Sequence, residues 1–155
     1  MSRWFSSRVE SVAARLRDAG VLGQVRTLPE KARTAALAAE QLGIEVGAIA
    51  NSLIFDADGA RLLVMTSGRH RGTPQKVATL LGIAGMRRAD PDFVRLHTGQ
   101  AIGGVAPIGH PEPIGTLVDI ELARYSEVWA AAGHPSTVFP TSYAELLRIT
   151  SGTAA

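Results

Sequence analysis

The residues best suited to chemistry lie in one stretch, Thr98-Gly99-Gln100-Ala101-Ile102-Gly103-Gly104-Val105-Ala106-Pro107-Ile108-Gly109-His110-Pro111. Four glycines and two prolines in fourteen residues specify a backbone path rather than a set of side chains. Glycine reaches positive φ and lets main chain approach a ligand, while proline fixes φ and removes a donor. A loop of this kind can aim N–H groups at a carbonyl oxygen or a phosphate. No Gly-Lys-Ser/Thr follows, so it is not a triphosphate loop, and it does not match the dinucleotide fingerprint. The same composition also serves a rigid connector between strands.

A second candidate is Thr66-Ser67-Gly68-Arg69-His70-Arg71, at the expected end of a strand, where binding groups often gather. Arg69 and Arg71 suit phosphate, and His70 suits orientation or proton transfer; a solvated turn accounts equally for the two arginines. Ser67 lacks the Gly-x-Ser-x-Gly context and an assignable base, which argues against a serine triad. Asn51 can both donate and accept at a strand start, or act as a local turn residue. Lys76 is an electrostatic anchor or an exposed helix lysine. His97, His110 and His134 show no metal-ligand spacing, so no metal site is expected. Trp4, Phe5 and Trp129 read as packing residues, with stacking on a terminal adenine as the alternative.

Apolar residues make up 46% of the 155-residue chain and charged residues 19%, enough for one globular core and too few charges for disorder. The absence of cysteine excludes disulfides, a thiolate zinc site and a cysteine nucleophile. Charged residues follow the N-terminus closely, leaving no signal-peptide core. No apolar run approaches the ~20 residues of a membrane helix. The chain therefore reads as a soluble cytoplasmic protein with no membrane partner. A net charge of +2 does not by itself indicate nucleic acid.

These segments need a scaffold. Helices are predicted over Ser7–Ala19, Ala32–Leu42, Thr73–Leu81, Asp90–Thr98 and Ser142–Ile149, the last with Ser142 and Glu145 in capping-box spacing. Asp58-Gly59 joins the strands Ser52–Phe55 and Arg61–Met65 in a hairpin. Further strands are predicted at Gln24–Leu28, Thr116–Asp119, Val128–Ala131 and Thr137–Phe139, and Ser151–Ala155 as a flexible tail. The irregular interleaving indicates one α+β domain, a mixed sheet with packed helices.

Taken together, Asn51–Phe55, Leu63–Gly68, Lys76-Val77-Ala78, Thr98–Gly109 and Ala131-Ala132-Gly133-His134-Pro135 resemble, in that order, the YbaK-like family. Its members are relatives of the editing insertion domain of bacterial prolyl-tRNA synthetase. The similarity runs from about Leu22 to Gly152, and its most specific element is the Gly-x-x-x-Pro loop Gly103–Pro107.

The resemblance implies a compact α+β domain with a curved mixed sheet that hydrolyses mischarged tRNA, chiefly tRNA for proline, in trans. It implies no metal or organic cofactor. Main-chain groups of the loop hold the ester region, and the terminal 2′-hydroxyl assists the attacking water. Carried over by position, Gly103, Gly104, Pro107 and Asn51 fall in the catalytic set. Ser52, Thr66, Ser67, Gly68, His70, Lys76, Val105, Ala106, Gly109 and His134 fall in the substrate-binding set. The implied partner is the 3′-terminal adenosine of aminoacyl-tRNA, with prolyl-tRNA synthetase or an elongation factor as further candidates. One departure stands out, since many members carry lysine where this chain has Asn51. A tRNA- or nucleotide-binding module that has lost hydrolysis, and a hydrolase of another small ester or amide, are the alternative functions.

Overall fold

Two apolar-rich runs separated by Asp58-Gly59 fold back on each other as the central hairpin, β2 (Ile49–Ala57) and β3 (Ala60–Ser67), in register from Ala50↔Ser67 to Ala57↔Ala60. Gly59 takes φ 89°, which a two-residue hairpin loop demands, and its N–H is capped by the Asp56 carboxylate at 2.6 Å. The computed structural model describes residues 3–32, 34–57, 59–70, 76, 79, 86–100 and 102–155, with side chains from residue 7 onward.

The hairpin lies at the centre of a mixed eight-stranded sheet, in the order β1-β7-β6-β2-β3-β5-β8 with β4 also on β2. The other strands are β1 (Arg26–Thr27), β4 (Met86–Arg88), β5 (Gly115–Val118), β6 (Val128–Ala131), β7 (Thr137–Thr141) and β8 (Thr153–Ala154). Pairings β2/β6, β3/β5 and β5/β8 are parallel; the remainder are antiparallel. The expected α+β architecture is therefore present.

Four α-helices occur among the described residues: α1 (Arg3–Asp18), α2 (Ala35–Leu42), α3 (Pro91–Thr98) and α4 (Tyr143–Thr150). Their starts follow the capping chemistry in the sequence. Thr34, Asp90 and Ser142 each accept a main-chain N–H of the first turn, from Leu37, Phe93 and Glu145. Glu145 does not complete a reciprocal box; its carboxylate takes the Thr141 hydroxyl at 2.6 Å.

Alternation along β2 divides its side chains between two cores. Ala50 and Ile54 join Leu63, Met65, Val118 and Phe139 on the face covered by Val12 and Leu16 of α1, Val94 of α3 and Leu146 of α4. Ile49 and Val138 meet Ala38 and Ala39 of α2 on the opposite face, where Phe55, Val64 and Leu117 form a neighbouring cluster.

Several expectations change in detail. α1 starts earlier than predicted, the Gln24–Leu28 strand shortens to Arg26–Thr27, and α2 starts after the Thr34 cap. Asn51 is the third residue of its strand rather than the first. β4 had no signal, being three residues long. The flexible tail is corrected: Thr153–Ala154 add in parallel to β5, and Ala155 exchanges hydrogen bonds with Val118 and Ile120. Unpaired main-chain groups on the β5 edge supply a template that composition does not reveal. Most of the predicted helix Thr73–Leu81 lies outside the described residues; Lys76 and Thr79 within it are helical.

Candidate functional site

The sheet has a gap. β2 pairs with β6 only through Ile49 and Ala50 and with β4 only from Phe55, with one further bond from the Ala89 N–H to the Ile54 carbonyl. Between these ladders the edge of Asn51–Leu53 faces the glycine loop. A cavity of about 330 Å³ occupies the gap, lined among others by Asn51, Ser52, Arg88, Gly103, Val105 and Pro135. A smaller compartment of about 50 Å³ shares Asn51, Ser52, Gly103, Val105 and Pro135 as a common wall. It continues between α2 and the sheet, against Ala35, Ala38, Ile49 and Val138.

The loop that closes this cleft is held from behind. Gln100 is 1% exposed; its side-chain oxygen accepts the Ala106 N–H at 2.7 Å and its amide donates to the Ile108 carbonyl at 3.3 Å. The Thr98 hydroxyl receives the Gln100 N–H at 3.0 Å and donates to the Val94 carbonyl at 2.6 Å, tying the loop to α3. His110 donates from Nε2 to the Ala106 carbonyl at 2.8 Å. On the other side the Gly133 N–H bonds the Gly104 carbonyl at 2.9 Å. Gly104 packs so closely on the His134–Pro135 main chain that a Cβ there would overlap it. Gly103 has φ 86° with open space about it, so its need for glycine is conformational rather than steric.

This bracing selects the usable donors. Ala106 has given its N–H to Gln100, and Pro107 has none. Gly103 and Val105 remain as the loop residues that line both compartments.

Of the residues named from sequence, Asn51, Ser52, Gly103 and Val105 come together in the cleft. Gly104, Ala106 and Pro107 are buried behind it, and Gly109 (φ 89°) packs on Val12 of α1. Thr66 is the cross-strand neighbour of Asn51 and is buried. Ser67 does not line the cleft: its hydroxyl donates to the Gly47 carbonyl at 2.7 Å and its N–H to Asp119 at 2.9 Å. Gly68 packs on Val46 and Ala35, and His70 pairs with Asp119 at 2.7 Å. Arg69 faces Glu121 at 3.5 Å. Arg71 lies outside the described residues, and Lys76 is exposed on its helical segment.

His134 sits beside the loop. Its Nδ1 accepts the Ser136 N–H at 3.0 Å, so the ring proton resides on Nε2. Burial, with Lys31 nearby, holds its pKa below the ordinary histidine value and keeps the ring neutral. His110 is shifted the same way, chiefly by burial, with Arg15 and Arg61 adding to it and the Ala106 bond opposing.

Sequence reasoning missed Arg88, which lines the larger cavity and has no carboxylate partner among the described residues. It stands on the short strand that lacked a signal. It missed Gln100 too, where a glutamine among glycines and prolines gave no hint that its side chain turns inward.

A cleft of this shape, closed by a braced glycine loop, can hold a small acyl group between main-chain dipoles without a protein nucleophile. Residues 29–149 match the model of the aminoacyl-tRNA editing domain. The chain belongs to this family. A crystal structure of a candidate trans-editing enzyme for prolyl-tRNA synthetase superposes with a TM-score of 0.89 at 38% identity, over 100% of this chain and 96% of that one. The uncharacterized protein YwhH of Bacillus subtilis is 30% identical over 110 residues, 70% of this chain and 69% of its own length. The proline–tRNA ligase of Bacillus licheniformis is 28% identical over 86% of this chain, which spans only 24% of that ligase. This chain thus corresponds to a minor part of that synthetase and to nearly the whole chain of the crystallised trans-editing candidate.

Proposed function

We propose that this editing domain hydrolyses the ester bond between a small, wrongly attached amino acid and the 3′ end of tRNA, acting in trans and preferring tRNA for proline. The carrying observation is the cleft between Asn51–Ser52 and the braced Gly103–Val105 loop, in a chain whose family edits aminoacyl-tRNA. The products are the free amino acid and a tRNA with both terminal hydroxyls restored. Water is the nucleophile, assisted by the 2′-hydroxyl of the terminal adenosine. Loop N–H groups at Gly103 and Val105 stabilise the developing oxyanion. The Ser67 hydroxyl is spent on the Gly47 carbonyl and takes no part in this scheme.

The compartment of about 50 Å³ takes the amino-acid side chain in this scheme, several times the ~10–15 Å³ that a single water requires. It favours alanine and residues of similar size over larger ones. Arg88 offers the cleft a cation and stands as the phosphate partner where other members carry lysine in place of Asn51. The domain acts in the cytoplasm beside prolyl-tRNA synthetase or an elongation factor, which would compensate for its low net charge in capturing tRNA.

The test is deacylation of tRNA for proline charged with proline, alanine, 2-aminobutyrate, serine, threonine or cysteine. Selective release of one non-proline amino acid is expected, with loss of rate in Asn51→Ala. A flat panel with tRNA still bound establishes the alternative, a binding module without hydrolysis, which the departure at Asn51 favours.

A further inference from the structure

The main-chain groups of a strand point to alternate edges from one residue to the next. In β2 the odd residues face β3: Ile49 accepts the Gly68 N–H at 2.8 Å, and Asn51 is two residues further along. The even residues face the other edge. Ala50 lies in the β6 ladder, and the Ile54 carbonyl accepts from Ala89 at 3.0 Å. Ser52 is the even residue between them. It lies beyond the end of the β6 ladder and before the start of β4, so its N–H and C=O both open into the gap. Its hydroxyl is also the single buried side-chain polar atom without a hydrogen-bond partner among the described residues. The hydroxyl and both main-chain groups of this residue thus lack a partner at one point of the gap, a pattern that calls for an explanation.

We infer that Ser52 is a main-chain docking point for an α-aminoacyl group, which enters the gap as a one-residue strand. This rests on the editing function proposed above and deepens it. The carbonyl of Ser52 accepts from the ligand's α-ammonium, and the Ser52 N–H donates to the ligand's carbonyl oxygen. Two residues in a closely spaced antiparallel pair exchange the same two bonds. An amino-acid ester has the matching geometry because its amine and carbonyl share one carbon. The ester is then gripped from the β2 side by Ser52 and from the opposite side by Gly103 and Val105, which line the same cavity. Recognition of the amine, independent of the side chain, separates aminoacyl esters from simple acyl esters.

The probe is the alanyl amide of 3′-amino-3′-deoxyadenosine, titrated into the ¹⁵N-labelled protein beside adenosine and the propionyl amide. The Ser52 amide proton is expected to move downfield and gain exchange protection with the alanyl compound and not with adenosine. The propionyl compound, lacking the amine, is expected to bind at least about tenfold more weakly. In parallel, Ser52→Pro removes the N–H at a position where a strand edge tolerates proline, and kcat/KM on alanyl-tRNA is expected to fall by about tenfold or more. Shifts at Gly103 and Val105 with an unmoved Ser52 amide overturn the docking point and leave the editing function standing. Equal affinity for the two amides overturns it as well. No shift anywhere overturns both. If Ser52→Pro fails to fold, the titration decides.

Discussion

Replacing Gln100 with leucine keeps most of the side-chain volume and deletes two hydrogen bonds, and its consequences follow from what those bonds hold. Ala106 is fully buried, and its N–H has Gln100 as its partner at 2.7 Å. An orphaned buried donor costs ~1–3 kcal/mol. The contact from Gln100 to the Ile108 carbonyl is longer, 3.3 Å, and Ile108 is half-buried, so water can replace it and little is added. The sum is about 1–3 kcal/mol, a fall in Tm of roughly 2–12 °C at this chain length. The larger effect is on the reaction. Gln100 sets the path on which Gly103 and Val105 reach the cleft, and a displacement near 1 Å at a reacting group costs ~100-fold. Deacylation by Gln100→Leu is therefore expected to drop by about that factor, mostly in kcat. Gln100→Glu sharpens the test. Burial pushes such a carboxyl up, and while protonated it can accept from Ala106 and donate to Ile108 as glutamine does. Its activity should recover on acidification relative to wild type. A Gln100→Leu protein with lowered Tm and wild-type kcat would refute the claim that Gln100 positions the loop.

Further outcomes follow from the same geometry. Gly103→Ala places its Cβ in open space, with the Pro135 side chain 3.9 Å away, and suffers only the positive φ, about 1–2 kcal/mol; Gly104→Ala forces the loop off the His134–Pro135 main chain, and calorimetry should show the greater loss for Gly104→Ala. His110 and His134 both have pKa values below the ordinary 6.5, so the unfolded chain binds more protons than the folded one around that value. Stability is then complete above about pH 6.5 and is lost as pH falls through it, and His110→Gln, which keeps a donor for the Ala106 carbonyl, should flatten the fall in Tm between about pH 7.5 and 5. Asp56 is lowered below its ordinary value, chiefly by the Gly59 N–H with help from Arg87, so its contribution persists at those pH values and does not mask the histidines.

How much was legible in the sequence depends on how local the cause is. The hairpin follows from two apolar runs around Asp58-Gly59, and two helix starts follow from Asp90 and Ser142, because turns and caps are settled by neighbours within a few residues. The Gly103–Pro107 loop stood out by composition, and with the segments around it carried the family resemblance that residues 29–149 bear out. Three things depended on contacts between distant segments. β4 and β8 are too short to announce themselves and exist because β2 and β5 present open edges. Ser67 and His70 looked available for chemistry, yet Gly47 and Asp119, brought up by other elements, take their polar groups. Gln100 carried no motif of its own, and Ser52 entered the binding set only through the family resemblance. One turns inward to brace the loop, and the other falls where two ladders stop short of each other. Sequence by itself determined which turns, caps and glycine conformations this chain would use. Which main-chain groups remained open to a ligand was decided by tertiary pairing, because a donor is available only where no other segment has claimed it.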